Sequence, residues 1–262
     1  MTLDLGIKAL NLFAPVPSSG TLSLAAPAGH GALVLLLEVI HRSRGRLVAL
    51  GAASRTRDPR EFDSMFNDSV DDDRRETSLL DGDASAEARW AEVERALERA
   101  AEVHTQTGDQ VFCVLDVEGL TGVPPRPLYA GEGVLVVLFE ALLTREEEDE
   151  SWHALADTTW RFSSEMARAG SYPALDPARS HARGDHAQDA ARARWSEGGA
   201  WARLLEMYLT QPFEVAEYFT GLPGNHVPAE TARSDLEALM RGDADHLEPE
   251  ALRFKGPLSD AV

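Results

Sequence analysis

The chain has 262 residues, of which 44% are apolar and 26% charged, and its formal net charge is −19. This length can bury one sizeable core, or one core and a smaller helical part. The acidic surface repels phosphate backbones and anionic lipid, so we expect neither nucleic acid nor membrane surfaces as partners. The single Cys113 excludes an intrachain disulfide. Without a basic leader or an apolar segment long enough to span a bilayer, a cytoplasmic location is expected.

Strands and helices are predicted to alternate through the first half of the chain. Short β-branched or apolar runs bounded by glycine indicate strands, and longer runs with apolar residues at helical spacing indicate helices. The predicted strands are 21–26, 45–53, 77–83, 110–117 and 133–143, and the predicted helices are 32–44, 58–66 and 85–104. Strands that alternate with helices predict a parallel sheet with helices on both sides, which is an α/β fold.

The second half, from about Ser151, is predicted to be mostly helical, and no strand pattern follows the stretch around residue 185. We therefore expect one domain over residues 1–185 and a helical C-terminal domain over residues 186–262. Acidic runs at 68–76 and 146–150 are either solvated connectors or docking surfaces.

The stretch AAPAGHGALVLLLEVI, at residues 25–40, follows a predicted strand and opens a helix. This is where a phosphate-binding loop of the pattern G-x-x-x-x-G-K-[ST] lies in nucleotide-binding proteins. Of that pattern only the second glycine, Gly31, is present, because Ala26, Ala32 and Leu33 take the positions of the first glycine, the lysine and the hydroxyl. From the motif alone, a glycine-rich turn between strand and helix explains the stretch better.

A resemblance over nearly the whole chain bears on that choice. GIKALNLFAPVPSSGTLSLAAPAGHGALVLLLEVI, GAASRTRDPREFDSM, GDQVFCVLD, GSYPALDP and YLTQPFEVAEYFTGLPGNHV follow one another in this order. In sequence and order they resemble the catalytic and C-terminal portions of the β subunit of rotary (F-type) ATP synthases. The resemblance implies a RecA-like P-loop NTPase core with a parallel sheet flanked by helices, followed by a small helical C-terminal domain.

The resemblance also implies a nucleotide site, residue by residue. Arg55 matches an arginine that faces the phosphates, and Asp116 matches the acidic residue that ends the metal-binding strand. A surface arginine and an aspartate that caps a strand are the alternatives. The remaining nucleotide-binding positions implied are those of the loop and of the aromatic residues around the adenine: Gly29, His30, Gly31, Ala32, Leu33, Tyr172, Phe213 and Phe219.

The chain departs from the family at the positions that carry the chemistry. Ala32 replaces the lysine, Leu33 the hydroxyl that binds magnesium, and Ser54 the glutamate that orients the attacking water. Phosphoryl transfer depends on positioning and charge stabilisation, so hydrolysis is expected to be negligible and no catalytic residue is assigned. Glu118 and His30 are weak substitutes, and neither Lys8 nor Lys255 falls in a segment expected beside the loop.

The expected function is that of a pseudo-ATPase. It would bind adenine nucleotide weakly, or act as a scaffold or ring-assembly partner of a homologous subunit or of its own copies. The family's N-terminal barrel and the loop that contacts the rotating shaft are not expected in this chain. No cofactor is required, although ATP or ADP, with or without Mg²⁺, remains a candidate ligand. The alternatives are an ATPase completed by a partner in trans and a structural remnant that binds no nucleotide.

Overall fold

A computed structural model describes residues 1–27, 29–51, 63–67, 70–80, 84–117, 120, 128–142 and 154–261, with only the backbone of residues 141 and 142. The strands are β1 (Thr2–Leu3), β2 (Val16–Pro17), β3 (Gly20–Pro27), β4 (Arg46–Gly51), β5 (Arg75–Leu79), β6 (Val111–Asp116), β7 (Val134–Leu142), β8 (Thr158–Arg161) and β9 (His181–Ala182). The helices are α1 (Lys8–Phe13), α2 (Ala32–Ser43), α3 (Ala86–Thr107), α4 (Ser164–Arg168), α5 (Asp189–Glu197), α6 (Gly199–Leu209), α7 (Glu217–Thr220) and α8 (Ala229–Arg241). Short 3-10 turns cover Asp72–Arg74, Glu214–Ala216, Pro249–Leu252 and Leu258–Ala261.

Among the described residues, the main sheet has seven strands in the order β5-β4-β6-β7-β3-β8-β9. The pairs β4–β5, β4–β6, β6–β7 and β3–β7 are parallel. Asp116 at the end of β6 is level with Phe139 of β7, which is level with Leu24 of β3. The carboxyl ends of β3 and β6 therefore lie at the same edge of the sheet, where parallel α/β proteins bind their ligands.

The central strands are continuous apolar runs because both of their faces are covered. Every residue of β6 is buried, as expected for a strand inside a parallel sheet. Helix α3 packs on β6, β4 and β7. Its start is capped by Ser85, whose Oγ accepts from the Ala88 N–H at 3.2 Å, and it ends at Gly108, whose φ of 74° is the left-handed conformation.

The chain divides into two compact units. The first comprises residue 1 and residues 17–28 and 39–159, and it contains strands β3 to β7 and helix α3. The second comprises residues 2–16, 29–38 and 160–262. Within the second unit α1 packs on α8, and α5 packs on α6. The second unit thus combines an N-terminal helix, the start of α2 and the helical C-terminal part of the chain.

The α/β architecture with a parallel sheet flanked by helices is confirmed. Strands were predicted at the positions of β3, β4, β5, β6 and β7, and helices at those of α2 and α3. One difference is β8, which lies in the part predicted to be mostly helical. Its β-branched residues Thr158 and Thr159 precede Trp160, and all three are buried, which suits a strand in a sheet. The boundary after residue 185 stays a prediction.

Three other predicted segments lie wholly or partly outside the described residues. Most of the predicted helix 58–66 and the acidic run 146–150 lie outside the described residues. Of the run 68–76, the described part forms the 3-10 turn Asp72–Arg74 and the start of β5. Within the described part of the chain, no helix has both the length and the apolar character needed to cross a membrane.

Candidate functional site

The loop between β3 and α2 has a backbone that only glycine adopts easily. Gly29 and Gly31 have φ angles of 81° and 80°, in the left-handed region. The Leu35 N–H donates to the Gly31 carbonyl at 2.9 Å, so α2 is hydrogen-bonded from its first turn. In an α-helix the first N–H groups lack an intrahelical acceptor and carry a partial positive charge. This loop and helix start therefore have the backbone form of an anion-binding turn. Ala28 lies outside the described residues.

The side chains of this loop supply no permanent positive charge. Ala32 is buried at the first position of α2, and Leu33 follows it half-buried. His30 is half-buried, and its Nε2 lies 2.9 Å from the Ser164 Oγ. The predicted loop positions 29–33 are thus contiguous and described, and what they present to a ligand is mainly backbone N–H.

Tyr172 lies directly against the loop. Its hydroxyl donates to the Gly29 carbonyl at 3.1 Å. A Cβ added to Gly31 would lie 3.1 Å from the Tyr172 Cδ1, closer than ordinary van der Waals contact. Gly31 is therefore required twice, by its positive φ and by the aromatic ring beside it. The structure brings together three of the predicted nucleotide-binding residues: Gly29, Gly31 and Tyr172.

A backbone bridge connects Tyr172 to the segment that carries the other two predicted aromatic residues. The Gln211 N–H donates to the Tyr172 carbonyl at 2.9 Å. Phe213, two residues further on, is buried, with 6% of its surface exposed. Phe219 lies on the surface with 85% exposed, and its ring makes an edge-to-face contact with Tyr218 at a centroid distance of 5.3 Å. An adenine box would need Phe219 to receive the base from this exposed position.

Glu38 was not predicted as a functional residue, yet it is a fully buried carboxylate, with 0% exposed. It belongs to α2, and its Oε1 and Oε2 accept the backbone N–H groups of Glu214 and Val215, both at 3.0 Å. These N–H groups open the 3-10 turn Glu214–Ala216, directly after Phe213. The signal in the sequence was one acidic residue within the otherwise apolar run ALVLLLEVI.

The buried Lys8 is occupied elsewhere in the second unit. Its Nζ donates to the carbonyls of Lys255 at 2.7 Å and Gly256 at 3.1 Å, and lies 4.6 Å from the centre of the Tyr208 ring. Its backbone N–H donates to the Gln211 Oε1 at 2.9 Å. Burial lowers the pKa of the Lys8 amine from 10.5 to about 7, against the opposing charges of Asp235 and Asp260. We call Lys8, Tyr208, Gln211 and the two carbonyls the Lys8 cluster.

Two predicted site residues remain, Asp116 and Arg55. Asp116 is the last residue of β6 and is buried, in the first unit. Arg55 lies outside the described residues, as do Ser54 and Glu118. Over the described ranges, no cluster of three or more His, Cys, Asp or Glu side chains is arranged to hold a metal ion.

The comparisons with known proteins agree with the geometry of the sheet and loop. The chain is 26% identical to ATP synthase subunit beta of Coprothermobacter proteolyticus, over 99% of this chain and 73% of that protein. It is 28% identical to ATP synthase subunit beta 3 of Paraburkholderia xenovorans, over 98% of this chain and 66% of that protein. For ATP synthase subunit beta 2 of Burkholderia thailandensis the identity is 29%, over 98% of this chain and 64% of that protein.

This chain is a homologue of the ATP synthase β subunits. Together with the parallel sheet, the homology confirms the expected RecA-like P-loop architecture. The β-subunit homologue spans 64–73% of the length of these three relatives. The matched stretch of the Coprothermobacter protein is 332 residues, longer than this chain, so the relatives contain internal segments that it lacks. No protein-family model matches the chain.

Magnesium fits this loop poorly. Mg²⁺ takes oxygen ligands in octahedral geometry, and in phosphate loops one of them is the hydroxyl that follows the lysine. In the homologue that position is Leu33, whose side chain has no oxygen. The backbone N–H groups of the loop fit an anion, whereas its side chains do not fit the cation that accompanies a nucleotide triphosphate.

Proposed function

We propose that this β-subunit-like protein binds adenine nucleotides weakly and does not hydrolyse ATP. One observation carries the proposal: the loop keeps the left-handed glycines Gly29 and Gly31 in front of α2 while Ala32 occupies the lysine position. The backbone that would receive a phosphate is preserved, and the side chains that would bind and activate it are not present.

The base-side contacts support weak binding. Tyr172 lies against the loop, and its carbonyl accepts from the segment that leads to Phe213. Stacking of a base on an aromatic side chain contributes about 1–3 kcal/mol. That energy alone corresponds to millimolar affinity at best. The N–H groups at the start of α2 would add a modest attraction for phosphate, since helix N-termini favour anions by about 0.3–1 kcal/mol at exposed sites.

The absence of hydrolysis follows from the side chains at two positions. A charge-assisted hydrogen bond from a lysine contributes about 1.5–3 kcal/mol, and Ala32 provides none. A positioned base contributes about 10²–10⁴ in rate, and Ser54 takes the place of the glutamate. Lys8 does not compensate, because its Nζ donates to the carbonyls of Lys255 and Gly256. We therefore expect no ATPase activity above the uncatalysed background.

Assembly with a homologous subunit, or with its own copies, belongs to the same proposal. The relatives are named as subunits of ATP synthase. A scaffold role would keep the RecA-like core as a structural element of a ring and would not need the chemistry. Size-exclusion chromatography with light scattering, alone and with ATP, tests self-association directly.

Calorimetry on the full chain with ATP, ADP and AMP, each with and without Mg²⁺, tests the binding proposal. We expect similar weak affinities for all three nucleotides and no dependence on Mg²⁺. A strong preference for Mg-ATP would contradict the proposal and favour an ATPase, whose activity would then be sought with a partner subunit present. No heat with any nucleotide would favour a structural remnant.

A further inference from the structure

The carboxylate of Glu38 makes an unusual contact for a buried charge. Its two oxygens accept two consecutive backbone N–H groups, those of Glu214 and Val215, each at 3.0 Å. A buried carboxylate costs free energy unless it is hydrogen-bonded, and hydrogen bonds to a charged acceptor are among the stronger ones in proteins. Glu38 therefore fixes the start of the 3-10 turn Glu214–Ala216 to the second turn of α2.

This contact completes a closed path of hydrogen bonds around the candidate site. The Tyr172 hydroxyl contacts Gly29 at the loop, and the Tyr172 carbonyl accepts from Gln211. The chain continues from Gln211 through Phe213 to Val215, whose N–H donates to the Glu38 carboxylate of α2. Helix α2 begins at Ala32, directly after the loop that contains Gly29, so the path ends where it started. All of these residues lie in the second unit.

We propose that Glu38 is a positioning residue for the base side of the nucleotide site. It holds residues 213–220, which we call the aromatic segment, in a fixed place relative to the loop. The inference rests on the proposed function for its ligand, but the contact itself does not. Since Glu38 is about two helical turns beyond Gly31, its loss leaves the N–H groups at the start of α2 in place. Loss of the Glu38 carboxylate should therefore weaken binding of the base and leave binding of phosphate unchanged.

The variant Glu38→Gln tests this with little change in shape. The amide keeps one carbonyl acceptor but turns its NH₂ group toward the second backbone N–H, so one hydrogen bond is replaced by two opposed donors. Glu217→Gln is the matched control, because it removes the same charge from an exposed position of the aromatic segment. Glu38→Asp keeps the charge with a shorter reach and serves as the conservative variant.

Hydrogen exchange followed by mass spectrometry on the full chain reads the contact without any ligand. In Glu38→Gln we expect exchange of peptides covering residues 213–220 to rise about ten- to hundredfold, as loss of a charged hydrogen-bond acceptor implies. Peptides from β6 and α3 should be unchanged, as should all peptides of Glu217→Gln. In Glu38→Asp, exchange of the aromatic segment should lie between that of the wild-type chain and that of Glu38→Gln. Unchanged exchange in the aromatic segment of Glu38→Gln would overturn the proposal, and exchange raised throughout the chain would reassign Glu38 to general stability.

Calorimetry with adenosine and with pyrophosphate tests whether Glu38 positions the base side of the site. We expect Glu38→Gln to weaken adenosine binding about tenfold or more and to leave pyrophosphate binding unchanged. Equal loss of both ligands would overturn the role in base positioning. If the wild-type chain binds neither ligand, the proposed function fails and the base-side role fails with it. The exchange result alone then decides whether Glu38 holds the aromatic segment.

Discussion

The candidate phosphate loop and the Lys8 cluster lie in the same compact unit but use charge in opposite ways. At the loop, Ala32 and Leu33 place no charge or hydroxyl where an anion and its metal would bind. In the Lys8 cluster, the fully buried Lys8 amine donates to two backbone carbonyls near the C-terminus. One region has the backbone form of an anion-binding turn without a cation, and the other has a buried amine that donates only to backbone carbonyls and an aromatic ring of the chain itself.

The contrast between the loop and the Lys8 cluster shows that the buried charged side chains of this unit contact the backbone of the chain itself. Lys8 holds the segment around Lys255 and Gly256, and Glu38 holds the segment around Glu214 and Val215. Both bind backbone groups of the chain itself. In some proteins, buried charges with good hydrogen bonds specify one arrangement of the fold at some cost in stability. The second unit therefore keeps polar contacts that maintain shape, which is consistent with a protein that preserves the form of a nucleotide site.

The largest effect is expected from removing the buried cation with Lys8→Met. Because the pKa of Lys8 is about 7 in the folded chain and 10.5 when exposed, the unfolded chain binds one more proton between these values. Stability from this residue is lowest below pH 7 and rises with pH, by at most about 1.4 kcal/mol per pH unit. The free energy of unfolding of the wild-type chain, relative to Lys8→Met, should rise accordingly in urea titrations from neutral to alkaline pH.

Lys255→Met is the control for the Lys8 prediction, because Lys255 is the only other lysine and its side chain is exposed. The difference in free energy of unfolding between Lys255→Met and the wild-type chain should not depend on pH over the same range. If the difference in free energy of unfolding between Lys8→Met and the wild-type chain is also independent of pH, the Lys8 amine keeps its ordinary pKa inside the fold. The contrast between the two regions would then rest on the hydrogen bonds of Lys8 alone.

The next effect concerns the loop, where the double variant Ala32→Lys with Leu33→Thr restores the lysine and the hydroxyl of the phosphate-binding pattern. The added ammonium group should tighten ATP binding relative to AMP about ten- to hundredfold, since a charged hydrogen bond contributes about 1.5–3 kcal/mol. The added hydroxyl should introduce dependence on Mg²⁺. Calorimetry with ATP and AMP, with and without Mg²⁺, measures both effects.

Val34→Lys places the same charge on the exposed side of the first turn of α2 and controls for general electrostatic attraction. It should change the ratio of ATP to AMP affinity only slightly. If the double variant behaves like Val34→Lys, the loop backbone is not arranged to receive phosphate. The proposed inheritance of a phosphate site would then be wrong, although the homology of the chain would be unaffected.

Much of the first unit could be predicted from sequence because its signals are local. The continuous apolar run of β6 indicated a strand, and Ser85 marked the start of α3. Strand β8 was missed because four residues without alternation carry little signal, and its place depends on pairing within the sheet. Helix α1 was not predicted either, since six residues are too few to show a helical period.

The candidate site was predictable only in part, because some of its features depend on local sequence and others on contacts between distant segments. The glycine pattern and the resemblance indicated the loop, and the structure shows the left-handed φ angles of Gly29 and Gly31. The contacts of Glu38 and Lys8 were not predictable, because they join residues far apart in sequence. Glu38 binds the backbone 176 and 177 positions later, and the Lys8 Nζ binds it 247 and 248 positions later.

The smallest effect separates the two contacts of Tyr172. Tyr172→Ala removes the ring that lies against Gly31 and should weaken adenosine binding by about 1–3 kcal/mol, with pyrophosphate unaffected. Tyr172→Phe keeps the ring and removes only the hydrogen bond to the Gly29 carbonyl. Because a neutral hydrogen bond at an exposed position contributes about 1 kcal/mol or less, this variant should bind adenosine nearly as the wild-type chain does. Calorimetry with adenosine and pyrophosphate measures each change. Equal losses in the two variants would show that the hydroxyl holds the loop in place, and the base would then bind elsewhere in the unit.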